Sequence, residues 1–210
     1  MSRWPQLKRG LVAILRGVKP DEIAAISDVL IDAGFEAIEI PLNSPDPFRS
    51  IETLAKRVPP GVLAGAGTVL SAADVIRLND VGGKLLVTPN VDPDVIRKST
   101  EFGMVSMPGV FTATEALIAI KSGASALKFF PASALGPSGV NAIRAILPKD
   151  VVIGAVGGVG EADFAAWMAV GVSTFGLGSS LYKPGASVDD IATKASRAVA
   201  AYDAASAAQP

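Results

Sequence analysis

The sequence predicts a single (β/α)8 barrel, the TIM-barrel class, and two observations carry that expectation. Short apolar, β-branched runs recur roughly every 20–26 residues, and each is followed by a longer stretch of helical periodicity, the pattern of repeated βα units. The runs are almost continuously hydrophobic, with no polar alternation, so both faces of the sheet must be covered. Eight such runs within 210 residues match the strand count of that barrel at the small end of its size range. A doubly wound open sheet is the rival. It normally has fewer strands, and no Gly-x-Gly-x-x-Gly follows the first one here. Residues 1–210 read as one domain without a low-complexity linker.

In chain order the strands are expected at Leu11–Arg16, Ala37–Leu42, Val62–Val69, Lys84–Pro89, Met104–Gly109, Ala126–Pro131, Val151–Gly158 and Thr174–Ser179. Helix boundaries between them are punctuated. Pro20, Asp21 and Glu22 form a first turn and Gly34 a stop. Ser71, Asp92-Pro93 and Thr112 open the next helices, while Gly103 and Gly123 close two of them. The residues before Leu11 are expected to form a short N-terminal helix or cap over one barrel end. The alanine-rich tail after Tyr202 is expected to fray.

Composition narrows the chemistry before any motif is read. Half the residues are hydrophobic and 19% are charged, which excludes disorder. The net charge of −1 is spread along the chain, so no basic face marks a nucleic-acid partner. No apolar stretch has membrane-spanning length, and the first residues lack the apolar core of a signal peptide, so the expected location is the cytoplasm. There is no cysteine and no histidine. Thiolate nucleophiles, disulfides, serine–histidine–acid triads and histidine-rich zinc sites are therefore excluded. General acid–base work falls to Glu, Asp, Lys or Tyr. A carboxylate-only magnesium site stays open on these grounds.

Barrel chemistry sits at the C-terminal strand ends, and polar or backbone-special residues converge there: Arg16-Gly17, Glu39 to Asn43, Gly65 to Thr68, Thr88-Pro89-Asn90, Pro108-Gly109, Lys128 to Pro131, Val156-Gly157-Gly158 and Gly178-Ser179-Ser180. Lys128, between Leu127 and Phe129, shares a strand face with Ala126 and Phe130. An enclosed lysine loses charge and becomes a nucleophile toward ketones; the plainer reading is an amine reaching solvent or one arm of an ion pair. Glu39 is the natural proton shuttle beside it, or else a salt-bridge partner of Arg16 or Lys128. Arg16 either orients that carboxylate or grips a substrate carboxylate in a bidentate fork. The glycines around Gly157, Gly158, Gly178 and Ser179 fall where such barrels hold phosphate, with Ser133 able to add a hydroxyl, though glycine also serves tight turns. Gly65-Ala66-Gly67-Thr68-Val69 either permits close strand approach or ends the strand with the Thr68 hydroxyl aimed at a carboxylate.

Taken together and in order, these segments resemble the family of 2-keto-3-deoxy-6-phosphogluconate and 2-keto-3-deoxy-6-phosphogalactonate aldolases. The motifs are Ala13-Ile14-Leu15-Arg16-Gly17, Ile38-Glu39-Ile40-Pro41-Leu42-Asn43-Ser44, Gly65-Ala66-Gly67-Thr68-Val69-Leu70, Val87-Thr88-Pro89-Asn90, Met107-Pro108-Gly109, Lys128-Phe129-Phe130-Pro131, Ala155-Val156-Gly157-Gly158-Val159 and Gly176-Leu177-Gly178-Ser179. The likeness spans nearly the whole chain. It implies a class I aldolase whose partner is a phosphorylated keto acid cleaved to pyruvate and glyceraldehyde 3-phosphate. By resemblance Lys128 forms the imine and Glu39 shuttles protons. Arg16 and Thr68 meet the carboxylate, Pro89 and Val156 face the substrate, and Gly157, Gly158, Gly178 and Ser179 bind phosphate. It also implies a homotrimer with no metal and no cofactor.

Within the family, Val156 before the Gly-Gly pair and Thr88-Pro89-Asn90 favour the galactonate branch, since the gluconate enzymes tend to carry threonine and Ser-Pro-Gly there. Ala132, where the galactonate branch can have serine, is a minor departure; the catalytic positions show none. A gluconate or dual-epimer enzyme is one alternative, and a phosphate-binding barrel without lyase activity is another.

Overall fold

A computed structural model of the protein describes residues 3–209. Its strands are β1 Leu11–Ile14, β2 Ala37–Pro41, β3 Leu63–Gly67, β4 Leu85–Val87, β5 Val105–Met107, β6 Gly109–Val110, β7 Ala126–Phe129, β8 Val152–Val156 and β9 Thr174–Leu177. The helices between and after them are α1 Ile23–Ala33, α2 Pro47–Arg57, α3 Ala72–Asp80, α4 Pro93–Glu101, α5 Ala113–Ser122, α6 Ala132–Arg144, α7 Phe164–Met168 and α8 Val188–Ala207. All strand pairs are parallel, in the order β5-β4-β3-β2-β1-β9-β8-β7-β6.

The two ends of that order are halves of one stave. β5 pairs with β4 and β6 with β7, and between them lies Pro108, which has no N–H to give to a ladder. Hydrogen bonds from Ser125 N to Ser106 O (3.0 Å) and from Lys128 N to Pro108 O (2.9 Å) close the ring. The expected strand Met104–Gly109 is thus broken at its proline and runs on to Val110. The expected (β/α)8 barrel is the observed architecture.

Alternation sorts the side chains into two cores. Leu127 and Phe129 of β7, and Ile38 and Ile40 of β2, belong to the large cluster under the helices. Val12, Ala37, Leu85, Val87, Met107 and Ala126 form a second, smaller cluster inside the ring. This inner cluster is the apolar floor of the barrel. The next inward residues toward the strand ends on β7 and β2 are Lys128 and Glu39.

The N-terminal helix expected from sequence is not there: residues 3–10 contain no helical turn. Pro5 restricts Trp4 to an extended backbone. The amides of Lys8 and Arg9 donate instead to Glu36 Oε2, at 2.6 and 3.3 Å. The segment still caps the barrel, because Trp4 and Leu7 pack against the floor cluster from below. The C-terminal tail also differs from expectation, since α8 continues past Tyr202 to Ala207. Tyr202 joins an aromatic group with Phe164 and Phe175, at centroid distances of 6.2 and 6.1 Å, and its hydroxyl donates to Ser173 O. Ala205 is buried, so this last turn has both packing and a strong helix former. Ser71, Asp92 and Thr112 accept from backbone amides in the first turns as expected, and Gly34 and Gly123 end helices at φ 104° and 102°. Pro20, Asp21 and Glu22 instead form a turn ahead of α1, which begins at Ile23 with no acid in its first turn.

Gly65 lets β3 and β4 approach. A methyl group placed there would lie 1.8 Å from the Leu85 carbonyl oxygen, a backbone atom that cannot step aside. We expect Gly65→Ala to cost about 1–3 kcal/mol or more of stability, read as a lowered urea midpoint; an unchanged midpoint would contradict the packing described.

Candidate active site

Lys128 lies inside the ring near the end of β7 and is 6% exposed. Its in-register neighbours are glycines, Gly109 on β6 and Gly154 on β8, which leaves width for a long side chain. The ammonium sits 4.7 Å from the centroid of the Phe130 ring, a cation–π contact that partly offsets lost hydration. Burial pushes the amine down to about 8. Glu39 resists that shift by favouring the cation, and Arg16 adds to it.

Glu39 enters from β2, across from β1 and β3, and is 3% exposed. Burial pushes its carboxyl up to about 7, against the pull of Lys128 and Arg16. Its Oε2 has no hydrogen-bond partner among the described residues. An acid and an amine, each brought near neutrality and each within the other's field, form a proton-transfer pair poised around physiological pH.

Arg16 does not bind Glu39 directly. Its guanidinium donates to Asn43 Oδ1 (2.5 Å) and, over a longer 3.5 Å contact, to Thr68 Oγ1. Thr68 adopts φ 55°, a left-handed conformation uncommon for a β-branched residue. Strained backbone of this kind clusters at functional sites. The ends of β1, β2 and β3 are tied together here, with Gly17 N donating to Ser44 Oγ and Leu42 N to Gly67 O.

On the far side of Arg16 a cavity of about 470 Å³ opens between the ends of β1, β8 and β9. Arg16, Val156, Gly157, Gly158, Gly178 and Ser179 line it together with Phe130. Gly157 and Gly158 are consecutive left-handed residues, at φ 90° and 73°, a backbone that only glycine adopts readily. Ser133 braces this turn by donating its amide to Gly157 O, and its hydroxyl stands where a Gly158 side chain would be. A pocket with a cation at one side and flexible-backbone amides at the other suits an anionic group. Among the described residues no group of three or more His, Cys, Asp or Glu is placed to hold a metal ion.

The model of the KDPG and KHG aldolase family matches residues 6–194. The chain belongs to that family. As a KDPG/KHG-type aldolase it is 62% identical over 200 residues to a probable 2-dehydro-3-deoxy-6-phosphogalactonate aldolase of Rhizobium meliloti, covering 95% of this chain and 94% of the relative. It is 47% identical to the 2-dehydro-3-deoxy-6-phosphogalactonate aldolase of Escherichia coli, covering 95% and 97%. A solved structure described as native KDPGal superposes with a TM-score of 0.95 at 46% identity, covering 98% of this chain and 99% of that one.

The structure of this aldolase-family chain brings most of the sequence-selected residues to one rim. Thr68 faces an adjoining cavity of about 370 Å³ that also includes Asn43. Pro89 lines neither cavity; its carbonyl group packs on Gly109, where a side chain would lie 2.5 Å away. Asn43 and Phe130 stand among the strand-end residues of the sequence, but the sequence alone assigns neither a role. Phe130 was legible, since it shares the Lys128 face. Asn43 was visible as a strand end, but its contact with Arg16 spans 27 residues.

The charges around Lys128 give a signed expectation. In Glu39→Gln the carboxylate that favours the ammonium is gone, so the Lys128 amine should titrate below its present about 8. Acetylation by acetic anhydride, followed at Lys128 by mass spectrometry across pH, should show its midpoint move downward. A midpoint that stays put or rises would contradict the coupling.

Proposed function

We propose that this protein is a class I aldolase that cleaves 2-dehydro-3-deoxy-6-phosphogalactonate to pyruvate and glyceraldehyde 3-phosphate. The observation that carries the reading is the buried Lys128, brought toward neutrality beside a buried, raised-pKa Glu39. The neutral Lys128 amine adds to the C2 ketone of the substrate, and Glu39 moves the protons that turn the carbinolamine into an imine with loss of water. Glu39 then takes the proton of the C4 hydroxyl. The C3–C4 bond breaks, its electron pair passes into the imine to give an enamine, and the aldehyde departs. Protonation of the enamine at C3 by Glu39 and hydrolysis of the imine release pyruvate and restore the amine.

Arg16 and Thr68 hold the substrate carboxylate in this reading, and Pro89, which lines neither cavity, acts from behind by packing on Gly109 beside Lys128. Gly157, Gly158, Gly178 and Ser179 hold the phosphate with backbone and hydroxyl donors. Val156, buried at the end of β8, offers an apolar surface to the C4 centre. An epimer whose hydroxyl needs a donor there is disfavoured. The two relatives named above, one a probable and one a plainly named galactonate-branch aldolase, support the galactonate choice. No helix among the described residues is long and apolar enough to cross a membrane. We also propose a cytoplasmic homotrimer of single-domain chains, from the family resemblance and from the exposed Leu70, Ile76, Leu117 and Ile118.

Incubation with pyruvate and borohydride should add mass at Lys128, and Lys128→Ala should lose both adduct and activity; an adduct that survives in Lys128→Ala would sink the assignment. Glu39→Gln should lower kcat by about 100- to 10,000-fold, the usual weight of a general acid–base, and a loss of about tenfold or less would remove it from that role. With the two C4 epimers as substrates, kcat/KM should be at least as high for the galacto form, and Val156→Thr should move the ratio toward the gluco form.

A further inference from the structure

We propose that Gly67 is a positioning residue for the reaction: its bare backbone is the surface against which the Glu39 carboxylate rests, so the missing side chain at 67 fixes where that acid stands. This rests on the reading of Glu39 as the proton shuttle.

Gly67 is the last residue of β3, two positions beyond Gly65 and paired in register with Pro41 of β2. A methyl group placed on it would lie 1.8 Å from Glu39 Oε2, 2.3 Å from its carboxyl carbon and 2.5 Å from Oε1. The three nearest atoms all belong to one carboxyl group. Gly67 is not among the glycines with left-handed φ, so its backbone does not itself demand glycine. The demand comes from the neighbour. This separates it from Gly65 in the same motif, whose missing side chain makes room for the backbone of β4.

Glu39 also lacks the usual means of fixing a buried carboxylate. Its Oε2 accepts no hydrogen bond among the described residues, and no ion pair there joins it to Lys128 or Arg16. What remains to define its place is contact, and the bare face of Gly67 is a surface it meets directly. An alanine there forces the carboxylate away. Proton transfer needs hydrogen-bond reach and falls off over ångström displacements. Shortening the acid by one methylene withdraws it by up to about 1.5 Å, which relieves most of the overlap with the added methyl group.

The test compares Gly67→Ala, Glu39→Asp and the double variant in cleavage assays, with Glu39→Gln alongside. Gly67→Ala should lose about 100-fold or more in kcat, the scale of a displaced general acid–base, while KM stays within about threefold because the carboxylate and phosphate contacts are untouched. Glu39→Asp should be slower than wild type, yet the double variant should be faster than Gly67→Ala alone. That reversal of sign is not produced by general damage to the barrel. Gly67→Ala at wild-type kcat, or a double variant at or below the product of the two single effects, overturns the proposal. If Gly67→Ala does not fold, Gly67→Ala/Glu39→Ala should restore folding by removing the carboxyl group; a double variant that stays unfolded overturns it. Full activity in Glu39→Gln sinks the shuttle and this inference together, whereas an inactive Glu39→Gln beside an unimpaired Gly67→Ala sinks the inference alone.

Discussion

The rest of the structure depends on keeping an amine and a carboxyl group inside a barrel where water cannot solvate them. Removing either charge from water is expensive, and the fold meets that cost by letting both groups approach neutrality. The floor beneath is apolar and glycines replace side chains on neighbouring strands, which favours the uncharged forms, while the Phe130 ring face steadies the amine when it is charged. Arg16 stands close enough to act on both groups but bonds to Asn43 and Thr68, so its charge is not cancelled by the acid it influences. An aspartate at position 43 would have neutralised it; the amide leaves it free to attract an anion.

Ring closure is what allows such a pair to exist. Lys128 and Glu39 stand on β7 and β2, which are not sheet neighbours, and they meet because the sheet curls until its two ends join at the stave broken by Pro108. An open sheet with the same residues would place both on a solvent-accessible face and leave their ionisation ordinary. The chemistry therefore belongs to the closed topology as much as to the residues.

Much of this was legible in the chain. The βα rhythm gave the barrel, and period-two alternation put Lys128 and Phe130 on the inner face. The absence of histidine and cysteine left carboxyl and amino groups as the only candidates for the work. What could not be read depends on contacts between distant segments. The capture of the Lys8 and Arg9 amides by Glu36, 28 and 27 residues away, replaced the helix expected at the N-terminus. Likewise, the sequence Gly65-Ala66-Gly67-Thr68 holds three different constraints in four residues: a strand approach, a carboxylate rest and a left-handed threonine. The first two are set by neighbours on other strands, Leu85 and Glu39, and local propensity is silent about all three. The continuation of α8 past Tyr202 is hidden from the sequence because alanine-rich composition says nothing of the aromatic group that anchors it.

Trp4 and Leu7 cover the apolar floor on the side away from the strand ends. In the proposed chemistry the reactants come and go on the opposite side, where Lys128, Glu39 and Arg16 stand. The N-terminal segment can therefore carry stability without standing in the substrate's path, and changes to one end of the barrel need not disturb the other.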